Sequence, residues 1–249
     1  MRKLIAAEFL KLRTTRLFYA LLATAAVLTV LGVVAVILTA GGSDTPDLGT
    51  QESTRNIFGN GGGAALFALI LGILAVTGEI RHGTITQTLL VTPRRPDVVT
   101  AKLVAMGIAG LVLGAVASLA TLAVAWPWLA AKDVGVSLFS DDVGLVMLAG
   151  IAGTVLFGII GVGVGAIVRS QVPAIVGALV WQFILESLLV ALLPSVGRWL
   201  PGGAARGLSR ETLSSGSLLP VWAAGLVLVA YGVVFAAIGA QVLARRDVT

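Results

Sequence analysis

Apolar residues run along this chain in long uncharged blocks, not in the period-two alternation of a half-buried strand or the one-sided stripe of a soluble helix. The blocks are Leu17 to Ser43, Asn56 to Gly78, Leu103 to Ala131, Val143 to Val168 and Thr212 to Ala244, and a sixth, Ser170 to Gly197, is broken only by Glu186. Each exceeds the roughly 20 residues a helix needs to cross the hydrocarbon of a bilayer. Backbone in lipid must satisfy its own hydrogen bonds, so an open sheet is excluded and the pattern predicts an all-α polytopic membrane protein. Six spans are expected, at about residues 17–40, 61–78, 99–125, 143–168, 172–194 and 218–243. No segment between them exceeds about 25 residues, too few to bury a core of their own, so residues 1–249 form a single transmembrane domain. Ahead of the first span, Met1 to Arg16 reads as an amphipathic interfacial helix. Ile5, Phe9 and Leu12 share one stripe, while Lys3, Lys11 and Arg13 reach water or anionic headgroups. The first apolar run is too long for the h-region of a signal peptide, so it stays as a membrane helix.

Composition agrees. Of 249 residues 57% are hydrophobic and 12% charged, with mean hydropathy +1.02, too few charges to clothe a soluble protein in water. With no cysteine and one histidine, disulfides, iron–sulfur clusters and the usual zinc sites are not expected. The net charge of +5 is spread between apolar runs instead of gathered on one exposed domain, so no nucleic-acid partner is expected.

Where the charges fall predicts orientation. Six spans place both termini on one side, and the segments of that side carry 12 Lys and Arg against 5 on the other. By the positive-inside rule both termini are expected in the cytoplasm.

The 79–98 segment between the second and third spans has the densest chemistry. Thr84 and Gln87 have capping-box spacing and Pro93 ends the run, which predicts a two-turn cytoplasmic helix. Its apolar residues Ile85, Leu89 and Leu90, with Arg94 and Arg95 at the rim, suit insertion into a partner's groove. They equally suit a membrane-surface turn whose arginines meet lipid phosphates.

In this loop the chain resembles the permease subunits of ABC-2 type transporters. The family pattern there is an acidic residue closing the second helix, a Gly-Thr pair, a leucine, a proline, then an arginine and a lysine entering the third helix. Glu79, Gly83, Thr84, Leu89 or Leu90, Pro93, Arg95 and Lys102 occupy those places, and Glu8-Phe-Leu-Lys-Leu-Arg13 is similar to the family's opening amphipathic segment. The resemblance implies a permease of an ATP-driven exporter in the bacterial cytoplasmic membrane, surrounded by lipid, paired with a second permease copy or a homologue and with two ATPase subunits. It implies that 79–98 is the coupling helix that docks on the ATPase, with Glu79, Gly83, Thr84, Ile85, Leu89, Leu90, Pro93, Arg95 and Lys102 as the coupling residues. The chain holds no Gly-Lys-Ser or Gly-Lys-Thr, hence no phosphate-cradling loop. ATP and Mg are therefore expected on the partner, and no catalysis or cofactor on this chain. Such a permease would move a small molecule, peptide or lipid-like substrate.

Glu186 is the only charged residue expected inside a span, with no Lys or Arg there to pair with it. With Gln171 and Gln182 it forms a polar stripe that should face protein or water. It reads as a pathway contact, a protonatable switch, or a carboxyl that locks the fifth helix to a neighbour. The alternatives to the exporter are a proton-coupled secondary transporter using Glu186 and a non-transporting scaffold for an ATPase. An intramembrane protease lacks any Ser-His or paired-Asp arrangement. Glycines at 110 and 114 and at 158, 161 and 165 have the spacing of close helix packing. Gly59 to Gly63 reads as a flexible entry to the second span, and His82 as an interfacial residue.

Overall fold

The computed structural model describes residues 1–42, 45–84, 95–135, 142–210 and 218–245, and among these every regular element is helical. Six helices are long and apolar enough to cross a membrane. The chain is an all-α polytopic membrane protein.

Helix α1, Arg2–Thr14, precedes the first span α2, Arg16–Thr39. Thr15 between them is extended. The hydroxyls of Thr14 and Thr15 donate back to the carbonyls of Leu10 and Lys11, competing with the helical ladder and turning the chain into the bundle. The second crossing is built from α3, Gln51–Gly59, a 3-10 turn, Asn60–Gly63, and α4, Ala64–Arg81. The side chain of Thr50 caps it by accepting from the Ser53 N–H at 3.2 Å. The expected flexible entry at Gly59 to Gly63 is thus corrected: it is helical. The physical reason is close approach, since a Cβ on Gly61 would meet Ser118 at 3.2 Å and Gly150 lies against Gly62.

The third span, α5, runs Arg95–Ala130 and the fourth, α6, Val143–Val168. The fifth is α7, Gln171–Val180, a π turn at Trp181–Leu185 and α8, Glu186–Leu192. Two short helices follow, α9, Pro194–Gly197, and α10, Pro201–Leu208, before the sixth span α11, Val221–Arg245.

Helix α6 is the hub, packed against α4, α5 and α11. Lipid is as apolar as leucine, so spans associate through close van der Waals fit, and small residues allow it. A Cβ on Gly165 would lie 2.8 Å from the Ile73 carbonyl, one on Gly158 2.9 Å from that of Met106, and one on Gly110 2.8 Å from that of Thr154. The backbones of α4, α5 and α6 therefore touch where a side chain would separate them. Helix α2 and the fifth span flank this core, and their outward residues, among them Leu31, Leu38, Phe183 and Leu192, remain exposed as a lipid-facing surface.

Candidate functional site

Four charged side chains meet at the end of the bundle that carries the N-terminus. Lys102 of α5 is 3% exposed, and its Nζ lies 2.7 Å from Glu79 Oε1 and 3.0 Å from Glu8 Oε2. It also donates to the Ala75 carbonyl at 3.1 Å. Lys11 of α1 bridges the same two carboxylates, 2.7 Å from Glu8 Oε1 and 2.5 Å from Glu79 Oε1. Two cations and two anions cancel, so the cluster can lie inside the protein at a cost its hydrogen bonds offset. Burial pulls the Lys11 ammonium down, but its hydrogen bonds to Glu79 and Glu8 and their charges outweigh this and hold it above its ordinary 10.5.

The cluster ties α1 to the closing turn of α4 and the opening turns of α5. Of the sequence-derived coupling residues, Glu79 and Lys102 are brought into direct contact across the 79–98 loop. Gly83 takes φ +68 just past the end of α4, a left-handed turn that glycine adopts without strain. The Thr84 hydroxyl donates to the Glu79 carbonyl at 3.4 Å. Arg95 opens α5, while Ile85, Leu89, Leu90 and Pro93 lie outside the described residues.

The interfacial-helix reading gains one residue it did not name. Ile5, Phe9 and Leu12 do turn inward, but the most buried residue of α1 is Glu8, and Lys11, still half-exposed to water, pairs with it and with Glu79. The helix is held by charge as well as by its apolar stripe. The signal was the lone acidic residue between Ile5, Phe9 and Leu12, with Lys11 one turn on.

Two cavities lie along α4, both walled by α2 on one side and the fifth span on the other. The one beside the ionic cluster encloses about 450 Å³ and includes Phe18, Leu74, His82 and Gln171. The one at the far end encloses about 790 Å³ and is lined by Val36, Asn56, Asn60, Phe157, Gln182 and the α10 residues Gly202, Ala205 and Arg206.

The polar stripe of the fifth span is divided between these cavities. Gln171 accepts from Arg81 at 3.3 Å in the first, and Gln182 lines the second. Glu186, 2% exposed, takes the N–H groups of Gly202 and Gly203 on Oε1 at 2.5 and 3.0 Å. These are orphan donors of the first turn of α10, the natural place for a carboxylate. A Cβ on Gly202 would fall 2.6 Å from Gln182 Nε2 and 2.9 Å from Glu186 Oε1, so a side chain there would displace the ends of both. The expectation was that no Lys or Arg inside a span pairs with Glu186; the cation whose charge acts on it, Arg206, comes from outside the spans, one turn along α10. The sequence concealed this because Arg206 lies between spans and returns to the bundle only through α10.

A second ionic knot closes the far end. Asp142 Oδ2 lies 2.9 Å from Arg55 Nη2 and 2.7 Å from Arg210 Nη1. Hydrogen bonding from Arg55, and then the charge of Arg210, hold the Asp142 carboxyl below its ordinary 3.8.

A bundle of six spans is what the resemblance leads one to expect, and the family comparison decides the family. A family model described as an ABC-2 family transporter protein matches residues 4–185. The chain belongs to the ABC-2 transporter family. No curated protein matches it. The matched region of this ABC-2 permease takes in the Glu8–Lys11–Glu79–Lys102 cluster, the loop between the second and third spans and the spans up to the π turn; α10 and the sixth span follow it.

Proposed function

We propose that this ABC-2 permease is the membrane half of an ATP-driven exporter, moving a small molecule, peptide or lipid-like substrate across the bacterial cytoplasmic membrane. It works with a second permease copy or a homologue and two ATPase subunits, which hold the ATP and Mg. Both termini and the 79–98 loop are cytoplasmic, and the cavity lined by α10 opens on the outer side.

The observation that carries the reading is the buried cluster at the base of the 79–98 loop. A coupling helix transmits force only if its two ends are fixed to the spans it must move. Glu79 and Lys102 flank this loop and are bound to each other and to α1. Motion of the loop against an ATPase would therefore be delivered to α1, α4 and α5 together, as a rigid-body shift. The two cavities along α4 support a path between α2 and the fifth span that such a shift would open first on one side and then on the other. Glu186, with one oxygen committed to two backbone donors, fits an anchor better than a free proton carrier.

Leu89→Asp and Leu90→Asp test the coupling role. A carboxylate at either position interrupts none of the six apolar runs, so insertion should be normal. Burying it unpaired in a partner's groove should cost about 3–5 kcal/mol, enough to lose the ATPase in a pull-down along with ATP hydrolysis by the complex. Normal binding and hydrolysis by both variants would remove this loop as the coupling helix.

A further inference from the structure

We infer that Asp142 is a positioning residue that sets the width of the outer cavity's mouth, by binding one arginine from each of its two walls. The inference rests on the transport reading for its purpose, though not for its geometry. One wall is α3 and the turn after it, which contribute Ser53, Asn56 and Asn60; the other is α10 with Ser209, which contribute Gly202, Ala205 and Arg206. Arg55 belongs to the first wall and Arg210 follows the second. Asp142, at the head of α6, stands outside the cavity lining and accepts from both on a single oxygen.

The two ends of α10 are held differently. Its first turn is fixed inside the protein by Glu186 and by Gly203, whose Cα has no room for a side chain against Gly197 and Arg198. Its last turn packs on the sixth span, where a Cβ on Gly207 would meet Leu219 and Ala224, and beyond it Asp142 and Arg210 pair at 27% and 35% exposed. A hydrated ion pair breaks at little cost, whereas a buried carboxylate on two backbone donors does not. The Asp142 pair is accordingly the link between the two walls that can yield. Both residues of this pair also have left-handed backbones, φ 59 at Asp142 and φ 54 at Arg210. Such conformations persist in L-residues where surrounding contacts impose them, and they favour release once those contacts go.

The test is a distance measurement between spin labels at Asn56→Cys and Ala205→Cys, across the mouth, in the full chain reconstituted with its ATPase. The chain has no native cysteine to interfere. Asp142→Asn removes the charge while asparagine tolerates the left-handed backbone, so folding should survive. The unaltered chain should give one narrow distance without nucleotide, and Asp142→Asn a broader distribution with a longer component. Arg210→Gln, the second variant, should match it, and Arg210→Lys, which keeps the cation, should restore the narrow distance at unchanged melting temperature. Narrow distributions in both Asp142→Asn and Arg210→Gln would overturn the inference. Trapping the ATPase with ATP should move the unaltered chain to the long component. If the variants widen but nucleotide moves nothing, the transport reading fails while Asp142 keeps its role.

Discussion

At the scale of single residues the molecule depends on four carboxylates and the cations or donors around them. Lys102 sits between Glu8 and Glu79, so Lys102→Met leaves two like charges, 7% and 10% exposed, with Lys11 alone to answer them. Breaking a buried pair in this way costs about 3–5 kcal/mol, and a clear fall in the melting temperature of the purified protein should follow. A variant that melts with the unaltered chain would show the cluster to be ornamental. Glu186 makes a graded prediction. Glu186→Gln keeps an oxygen for Gly202 and Gly203, whereas Glu186→Leu orphans both N–H groups at about 1–3 kcal/mol each. The leucine variant should therefore melt well below the glutamine variant, and equal melting temperatures would contradict the anchoring role. The two ionic groups also differ in their response to pH. The Lys11 value is raised, so its stabilisation is present below 10.5 and is lost as pH rises through the raised value. The Asp142 value is depressed, so its contribution is present above 3.8 and is lost as pH falls through the lowered value. A spin label at Leu10→Cys, on the exposed face of α1, should keep one mobility from neutral pH up to the lysine range. A mobility transition near neutrality would mean that something other than Lys11 holds the helix.

At the scale of elements, what the sequence made legible was whatever depends on local composition. Apolar block length located the six spans, because the bilayer demands it of every span alike. The glycines at 110 and 114 of α5 and at 158, 161 and 165 of α6 were legible as packing residues from their spacing. Their partners were not, since which backbone meets Gly165 depends on how helices far apart in the chain are arranged. This separates glycines that look identical in sequence. A Cβ on Gly165 would press on the Ile73 backbone at 2.8 Å, whereas one on Gly153 or Gly177 would meet nothing within 4 Å. Gly165→Ala should destabilise by about 1–3 kcal/mol through overpacking, while Gly153→Ala and Gly177→Ala should be neutral or slightly stabilising, as melting temperatures will show. If all three behave alike, the close approach of α4 and α6 is not as described. The run Gly59 to Gly63 illustrates the opposite difficulty. Local propensity argued for flexibility, and contact with α5 and α6 overrode it.

Across the whole molecule, the pairs that join distant segments were the least legible. Glu79 and Lys102 could be singled out from the family resemblance, but nothing in their spacing announced Glu8 as their common partner. Asp142 reaches Arg55 and Arg210 over 87 and 68 residues, and Glu186 finds Gly202 only because α10 folds back on the fifth span. These contacts divide between the two ends of the bundle. At the N-terminal end they bind α1, α4 and α5 around the 79–98 loop; at the other they fasten α10 across a cavity. An ATPase acting on the first end and a mouth that opens at the second are consistent with that division, and the proposed coupling places the ATPase on the 79–98 loop. The most direct measurement is chemical labelling of Thr88→Cys in a chain without other cysteines. The proposed coupling predicts no labelling from outside intact cells, ready labelling in inverted membrane vesicles, and protection in those vesicles when the ATPase subunit is present. Labelling from outside intact cells, or full reactivity in vesicles with the ATPase bound, would contradict it.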